Sequence, residues 1–116
     1  MAADYTLIVG AKRNPAVDFS LLLGEDEILV EVESETEEDV RPLITVTPDD
    51  TGLVISDISI IETTEEIGGK SVEPNKAIQF RATAVTAGEY TIEIKVKTNS
   101  VPYQEPITRV LMDVID

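Results

Sequence analysis

The clearest pattern in the chain is the alternation over Tyr90-Thr91-Ile92-Glu93-Ile94-Lys95-Val96-Lys97. Tyr90, Ile92, Ile94 and Val96 fall on one face; Thr91, Glu93, Lys95 and Lys97 fall on the other. Such a period of two predicts a strand with one buried face. Residues 78–84 repeat it, with Ile78, Phe80, Ala82 and Ala84 inward. The short connection over 85–89, with its Ala87-Gly88 turn, predicts that these two strands form a hairpin.

Upstream, residues 28–33 alternate with Ile28, Val30 and Val32 inward, and residues 17–23 alternate before a turn at Gly24-Glu25-Asp26. Residues 43–46 form a short strand stopped by the turn cluster Pro48-Asp49-Asp50-Thr51-Gly52. The apolar run 53–61 carries Ser56, Asp57 and Ser59, which predicts burial on both faces or a change of face at a bulge. Residues 107–115 are apolar on both faces, and residues 5–9 form a first strand or an arm. No window shows a 3.6-residue apolar stripe; residues 35–40 allow at most a helical turn, ended by Pro42. Seven or eight short strands in about a hundred residues predict an all-β, two-sheet antiparallel sandwich. The expected organisation is one domain over 17–116, preceded by an N-terminal arm or extra strand over 1–16 whose removal leaves the domain folded.

Composition agrees with a sheet. The 116 residues are 42% apolar and only 4% aromatic, with no Trp, so the core is built from Val, Ile and Leu. A chain of this length buries enough surface to fold without disulfides or metal. Charge adds an asymmetry. Twenty-three acidic residues against nine basic ones give −14, of which −11 lies in residues 1–58. A chain this acidic is repelled by nucleic acid and by anionic membranes, and neither is an expected partner. No basic leader and no long apolar stretch precede the domain, so a cytoplasmic protein, or one that leaves the cell inside a larger particle, is expected.

Catalytic chemistry finds little to stand on. The absence of His and Cys removes the commonest general base, the serine-histidine arrangement, thiolate nucleophiles and zinc-thiolate sites. Gly68-Gly69-Lys70-Ser71 lacks the upstream glycine and the strand-to-helix setting of a phosphate loop, and reads as a turn. No catalytic residue, cofactor or metal ligand is assigned.

The segment from Thr86 to Val96, with Gly88-Glu89-Tyr90 leading into the alternating strand, resembles the penultimate strand of immunoglobulin-like domains. The resemblance implies an immunoglobulin-like sandwich in which the Tyr90 hydroxyl bonds backbone upstream of it at a sheet corner. The antibody-type cysteine pair and buried Trp are absent, and residues 1–39 match no family pattern. In general character the chain also resembles the cement (decoration) and tail-associated proteins of tailed bacteriophages. That likeness implies a non-enzymatic virion protein, present in several copies and held by protein–protein contacts to capsid or other assembly subunits. The alternative is a recognition module of a tail, adhesin or surface assembly that binds protein or glycan.

Candidate contact residues follow from charge and exposure. Glu25, Asp26, Glu27, Glu31, Glu33, Glu35, Glu37, Glu38 and Asp39 put nine carboxylates in fifteen residues. If residues 28–33 are a strand, Glu27, Glu31 and Glu33 line its outer face. The run reads as a solvated face, as a footprint for a basic surface, or as a calcium site, though it lacks the spacing of a calcium loop. Lys12-Arg13 is the chain's one basic pair and reads as an ordinary loop or as an arm that reaches an acidic neighbour, including a second copy. Leu21-Leu22-Leu23 and Leu53-Val54-Ile55 mark an interface if Leu22 or Val54 points outward. Tyr103 is the aromatic best placed for exposure, in the loop before the last strand.

Overall fold

The computed structural model describes residues 4–48 and 50–116, apart from the Glu37 side chain; Asp49, from the turn cluster, lies outside the described residues. The strand segments are β1 (Tyr5–Ile8), β2 (Lys12–Arg13), β3 (Ala16–Asp18), β4 (Leu29–Val30), β5 (Leu43–Thr47), β6 (Leu53–Ile60), β7 (Glu65–Ile67), β8 (Lys70–Val72), β9 (Ala77–Ala84), β10 (Gly88–Lys95), β11 (Lys97–Thr98) and β12 (Ile107–Ile115). The only helical pieces among the described residues are two 3-10 turns, Ser20–Leu22 and Glu37–Asp39. No helix of the described residues is long and apolar enough to cross a membrane.

The molecule is all-β and sandwich-like. One sheet runs β1-β12-β10-β5, with β1 parallel to β12 and the other pairs antiparallel. In the other, β9 is flanked by β2 and β3 on one side and by β6 on the other. Their inner faces share one core: Ile78, Phe80 and Ala82 from β9 meet Tyr90, Ile92 and Ile94 from β10 and Val110, Met112 and Val114 from β12. Ile78, Ile92 and Ile94 are fully shielded from solvent. The alternation read from 90–97 and 78–84 therefore holds residue by residue. The expected seven or eight strands appear as twelve segments for local reasons. β2 and β3 are one edge broken at Asn14-Pro15, where proline has no N–H to give. β7 and β8 form an added hairpin through Gly68-Gly69, both at positive φ, as a tight two-residue turn requires.

Several sequence expectations are corrected. β9 and β10 are not a hairpin: they lie in different sheets, and residues 85–87 arch between them. The N–H groups of Val85 and Thr86 both donate to the Gly52 carbonyl, at 2.9 and 3.0 Å, which turns the chain away from β9. The Tyr90 hydroxyl closes the arch by donating to the Thr86 carbonyl at 2.9 Å, the upstream backbone bond implied by the resemblance. Residues 17–23 do not continue as a strand. The Asp18 carboxylate accepts from the Ser20 N–H (2.8 Å) and hydroxyl (2.6 Å), and the chain turns there with Phe19 fully buried. Residues 28–33 keep only the two-residue β4, in the opposite phase: Leu29 is buried, whereas Ile28, Val30 and Val32 are half-buried. Long-range bonds decide that phase, from the Leu29 N–H to the Asn75 carbonyl and across β4 to β11.

The run 53–61 forms β6 with an irregularity between Ser56 and Ser59, and Asp57 sits at φ 52°, so the face changes at a bulge. Residues 5–8 are a strand, and β2 pairs with β9, so residues 4–16 are woven into both sheets and do not project as an arm. Leu7 enters the core beside Val114 of β12.

Candidate interaction surface

β10 and β11 carry the chain from the arch at Gly88 to Thr98, about 33 Å at strand rise. Beyond Thr98, the loop over 99–106 meets the acidic segment, and several connections bind the two together, among them the Asn99 N–H to the Ile28 carbonyl at 3.1 Å. β4 pairs with β11. The Ile28 N–H donates to Asn99 Oδ1 at 3.0 Å. Ser100 donates its hydroxyl to Glu27 Oε2 at 2.7 Å. Arg41 Nε donates to Glu105 Oε2 at 2.7 Å, while Arg41 Nη1 donates to the carbonyls of Glu38 (2.6 Å) and Val40 (2.8 Å).

These bonds form a directed network. Glu27 Oε1 accepts from the Gly24 N–H at 2.7 Å. Because the Ser100 proton goes to Glu27, the buried Thr98 hydroxyl gives its own to Ser100 (2.8 Å) and accepts from the Gln104 N–H (2.8 Å). The Gly24 N–H, and after it the Ser100 hydroxyl, hold the Glu27 carboxyl below the usual carboxylate range against the opposing effect of partial burial. The Arg41 hydrogen bond does the same for Glu105.

Around this network several apolar side chains reach the surface. Leu22, Val101, Pro102, Pro106 and Ile107 line an open basin of about 690 Å³, with Glu27, Ser100, Gln104 and Glu105 as its polar lining. Leu21 is 89% exposed, Val101 98%, Leu22 52% and Ile107 43%. Tyr103 is exposed as expected, with the Lys97 ammonium 4.2 Å from its ring centroid. Residues 25–41 and 95–106 together hold ten acids against three bases, −7 of the chain's −14. The result is a group of exposed apolar side chains among polar and mostly acidic ones, at one end of the sandwich.

The sequence candidates divide between two ends. Glu25 and Asp26 occupy the exposed turn at the basin, and Glu31, Glu33, Glu38 and Asp39 are exposed on the segment beyond it. The side chain of Glu37 lies outside the described part. Glu27 does not share an outer strand face with Glu31 and Glu33, because no strand spans them; it turns onto Ser100 instead. Lys12 and Arg13 lie far from all of these. They pair with Thr83 and Ala82, whereas the acidic segment abuts the other end of β9 at Asn75–Lys76, about 20 Å along the strand. Arg13 crosses to the opposite sheet and lies 5.5 Å from the Tyr5 ring centroid. Leu22 points outward as an interface residue would; Val54, 41% exposed, does so on the other sheet, opposite Thr83.

Sequence reasoning missed Arg41, Ser100, Val101, Glu105 and Ile107 as parts of this surface. Only Val101, an apolar residue in a loop next to Pro102 and Tyr103, carried a local signal. Among the described residues no three carboxylates come together to hold a metal ion. Comparison with protein-family models, curated proteins and solved structures finds no match to this chain.

Proposed function

We propose that this chain is a non-enzymatic structural protein with an immunoglobulin-like sandwich, which attaches through its acidic loop end to a larger protein assembly. In its sharpest form it is a decoration (cement) subunit, present in several copies on a tailed-bacteriophage capsid. The observation that carries the reading is the exposed group Leu21, Leu22, Val101 and Ile107 set among acidic residues. Apolar groups gathered on a surface mark contact sites, and the surrounding charge selects a partner whose contact has an apolar centre and a basic rim. The immunoglobulin-like part is supported by the Tyr90 arch and by a pairing order in which consecutive β9 and β10 belong to different sheets.

The test combines the native mass of the assembly that contains the chain with the variant pair Leu22→Glu and Val101→Asp. Both side chains are exposed, so the double variant should fold as the parent does. A megadalton assembly that releases the double variant supports the reading; a free monomer in its native setting overturns it. The exposed Tyr103 favours a second reading, a module that binds glycan at the same end. Loss of glycan-array binding on Tyr103→Ala would replace the first reading with the second.

A further inference from the structure

The two sheets have four edges, and three of them are obstructed. The β2–β3 edge is broken at Asn14-Pro15 and carries Lys12, Arg13 and Asp18. On β6 the irregularity between Ser56 and Ser59 bends the edge, and Arg81 Nη1 lies 3.8 Å from the Asp57 carboxylate. β1 is four residues long, and Arg13 lies across its Tyr5 ring. Charged residues, bulges, prolines and short length are the usual means by which sheet edges avoid unwanted pairing.

β5 differs. Leu43-Ile44-Thr45-Val46-Thr47 is unbulged, uncharged and largely β-branched, and it pairs with β10 along one side only. Among the described residues no backbone group bonds along its other side. Ile44 and Val46 face the core but remain half-exposed, as expected where the next strand is missing. A groove of about 330 Å³ runs beside the strand, lined by Leu43, Ile44, Thr45 and Val46 together with Glu38, which precedes the strand, and Asp50, which follows it.

We propose that β5 is a docking edge that takes an extended segment of a partner protein as an added strand, and that this segment has alternating apolar residues and Lys or Arg at its ends. Backbone pairing along β5 would supply the attachment, and apolar side chains over Ile44 and Val46 would set the register. Glu38 and Asp50 supply the charge selection: they attract a basic segment and repel a second copy of β5, whose own Glu38 and Asp50 would be brought against them. This surface shares Glu38 with the acidic segment but none of the basin residues, and its test is read at residues 43–47, so its failure is distinguishable from failure of the loop-end reading.

The probe is a seven-residue peptide of alternating valine and threonine with lysine at both ends, compared with the same peptide ended by glutamate. Amide shifts and hydrogen-exchange protection are followed on the isotope-labelled full chain. The expected result is a response confined to residues 43–47 and their neighbours, with the lysine peptide bound about tenfold tighter at low salt. Glu38→Gln with Asp50→Asn, both exposed positions, should remove that preference without disturbing the fold. Three results overturn the proposal: no binding at millimolar peptide, equal binding of both peptides to the parent chain, or a parent dimer paired through β5.

Discussion

The two ends of the sandwich are closed by different physics. At the arch, Gly52, Thr86 and Tyr90 meet so tightly that a Cβ on Gly52 would fall on the Tyr90 hydroxyl, and Leu53, Ala84 and Tyr90 are buried beneath the exposed residues 85–89. At the loop end, about 33 Å along β10 and β11, closure depends on the Arg41–Glu105 ion pair and on hydrogen bonds of Arg41, Glu27 and Ser100, beneath side chains that face solvent. Burial fixes one end sterically, and little can change there without cost. Polar connections hold the other end at modest net energy, so its surface is free to serve attachment. Damage to the fold should therefore concentrate at the arch and the strands that feed it, while damage to binding should concentrate at the loops.

The largest effect expected is from deletion of residues 1–13. It removes β1 and β2, takes the buried Leu7 from the core, and exposes the side of β12 that β1 covers. Loss of a cooperative thermal transition, followed by circular dichroism, is the expected outcome. A truncated chain that still melts cooperatively near the parent temperature would show that the N-terminal strands are dispensable, and would restore the separable N-terminal segment expected from sequence.

Next in size is Gly52→Ala. The added methyl group would displace the Tyr90 ring or open the arch, since the Thr86 Cβ also lies only 3.3 Å from the new position. A cost of about 3 kcal/mol is expected, the upper part of the range for overpacking a buried site. Tyr90→Phe is the milder probe of the same corner: it removes only the bond to the Thr86 carbonyl. Denaturant titration should give about 1 kcal/mol, the net value of one such hydrogen bond. Were the two variants equal in cost, steric closure would not be what distinguishes this end.

The arch was also the more legible end. Gly-x-Tyr ahead of an alternating strand is a local pattern, and the alternation of 90–97 and 78–84 survives because each of those strands buries one face throughout. What misled was sequence proximity: a short connection between two strands looks the same whether it joins neighbours in one sheet or crosses between sheets. At the loop end the signals were long-range. Leu29, not Ile28, is buried because Asn75 and Thr98 hold the backbone from both sides. Arg41 finds Glu105 sixty-four positions away, and no local window contains both. The acidic run was visible, but its partition into one networked carboxylate and several exposed ones was not.

The smallest effect, and the one that separates the ends most finely, is pH. Glu27 and Glu105 both have folded-state pKa values below their ordinary ones, held there by the Gly24 N–H and Ser100 hydroxyl and by Arg41 respectively. A carboxylate with a depressed folded pKa contributes stability that is fully present above its unfolded pKa, and this is lost as pH falls through the folded value. The parent chain should therefore lose stability as pH falls from the ordinary carboxylate range through the folded values, and Glu27→Gln should flatten that loss because it removes a small contribution already present at neutral pH. The structural readout should be local. Amide exchange should rise first at Gly24, Ile28, Asn99 and Gln104, whose N–H groups belong to or adjoin the network, while Val85 and Thr86 at the arch stay protected. Simultaneous exposure of both ends on acidification would mean that the loop end is not an independently loosened unit, and the division between a steric end and a polar end would fail.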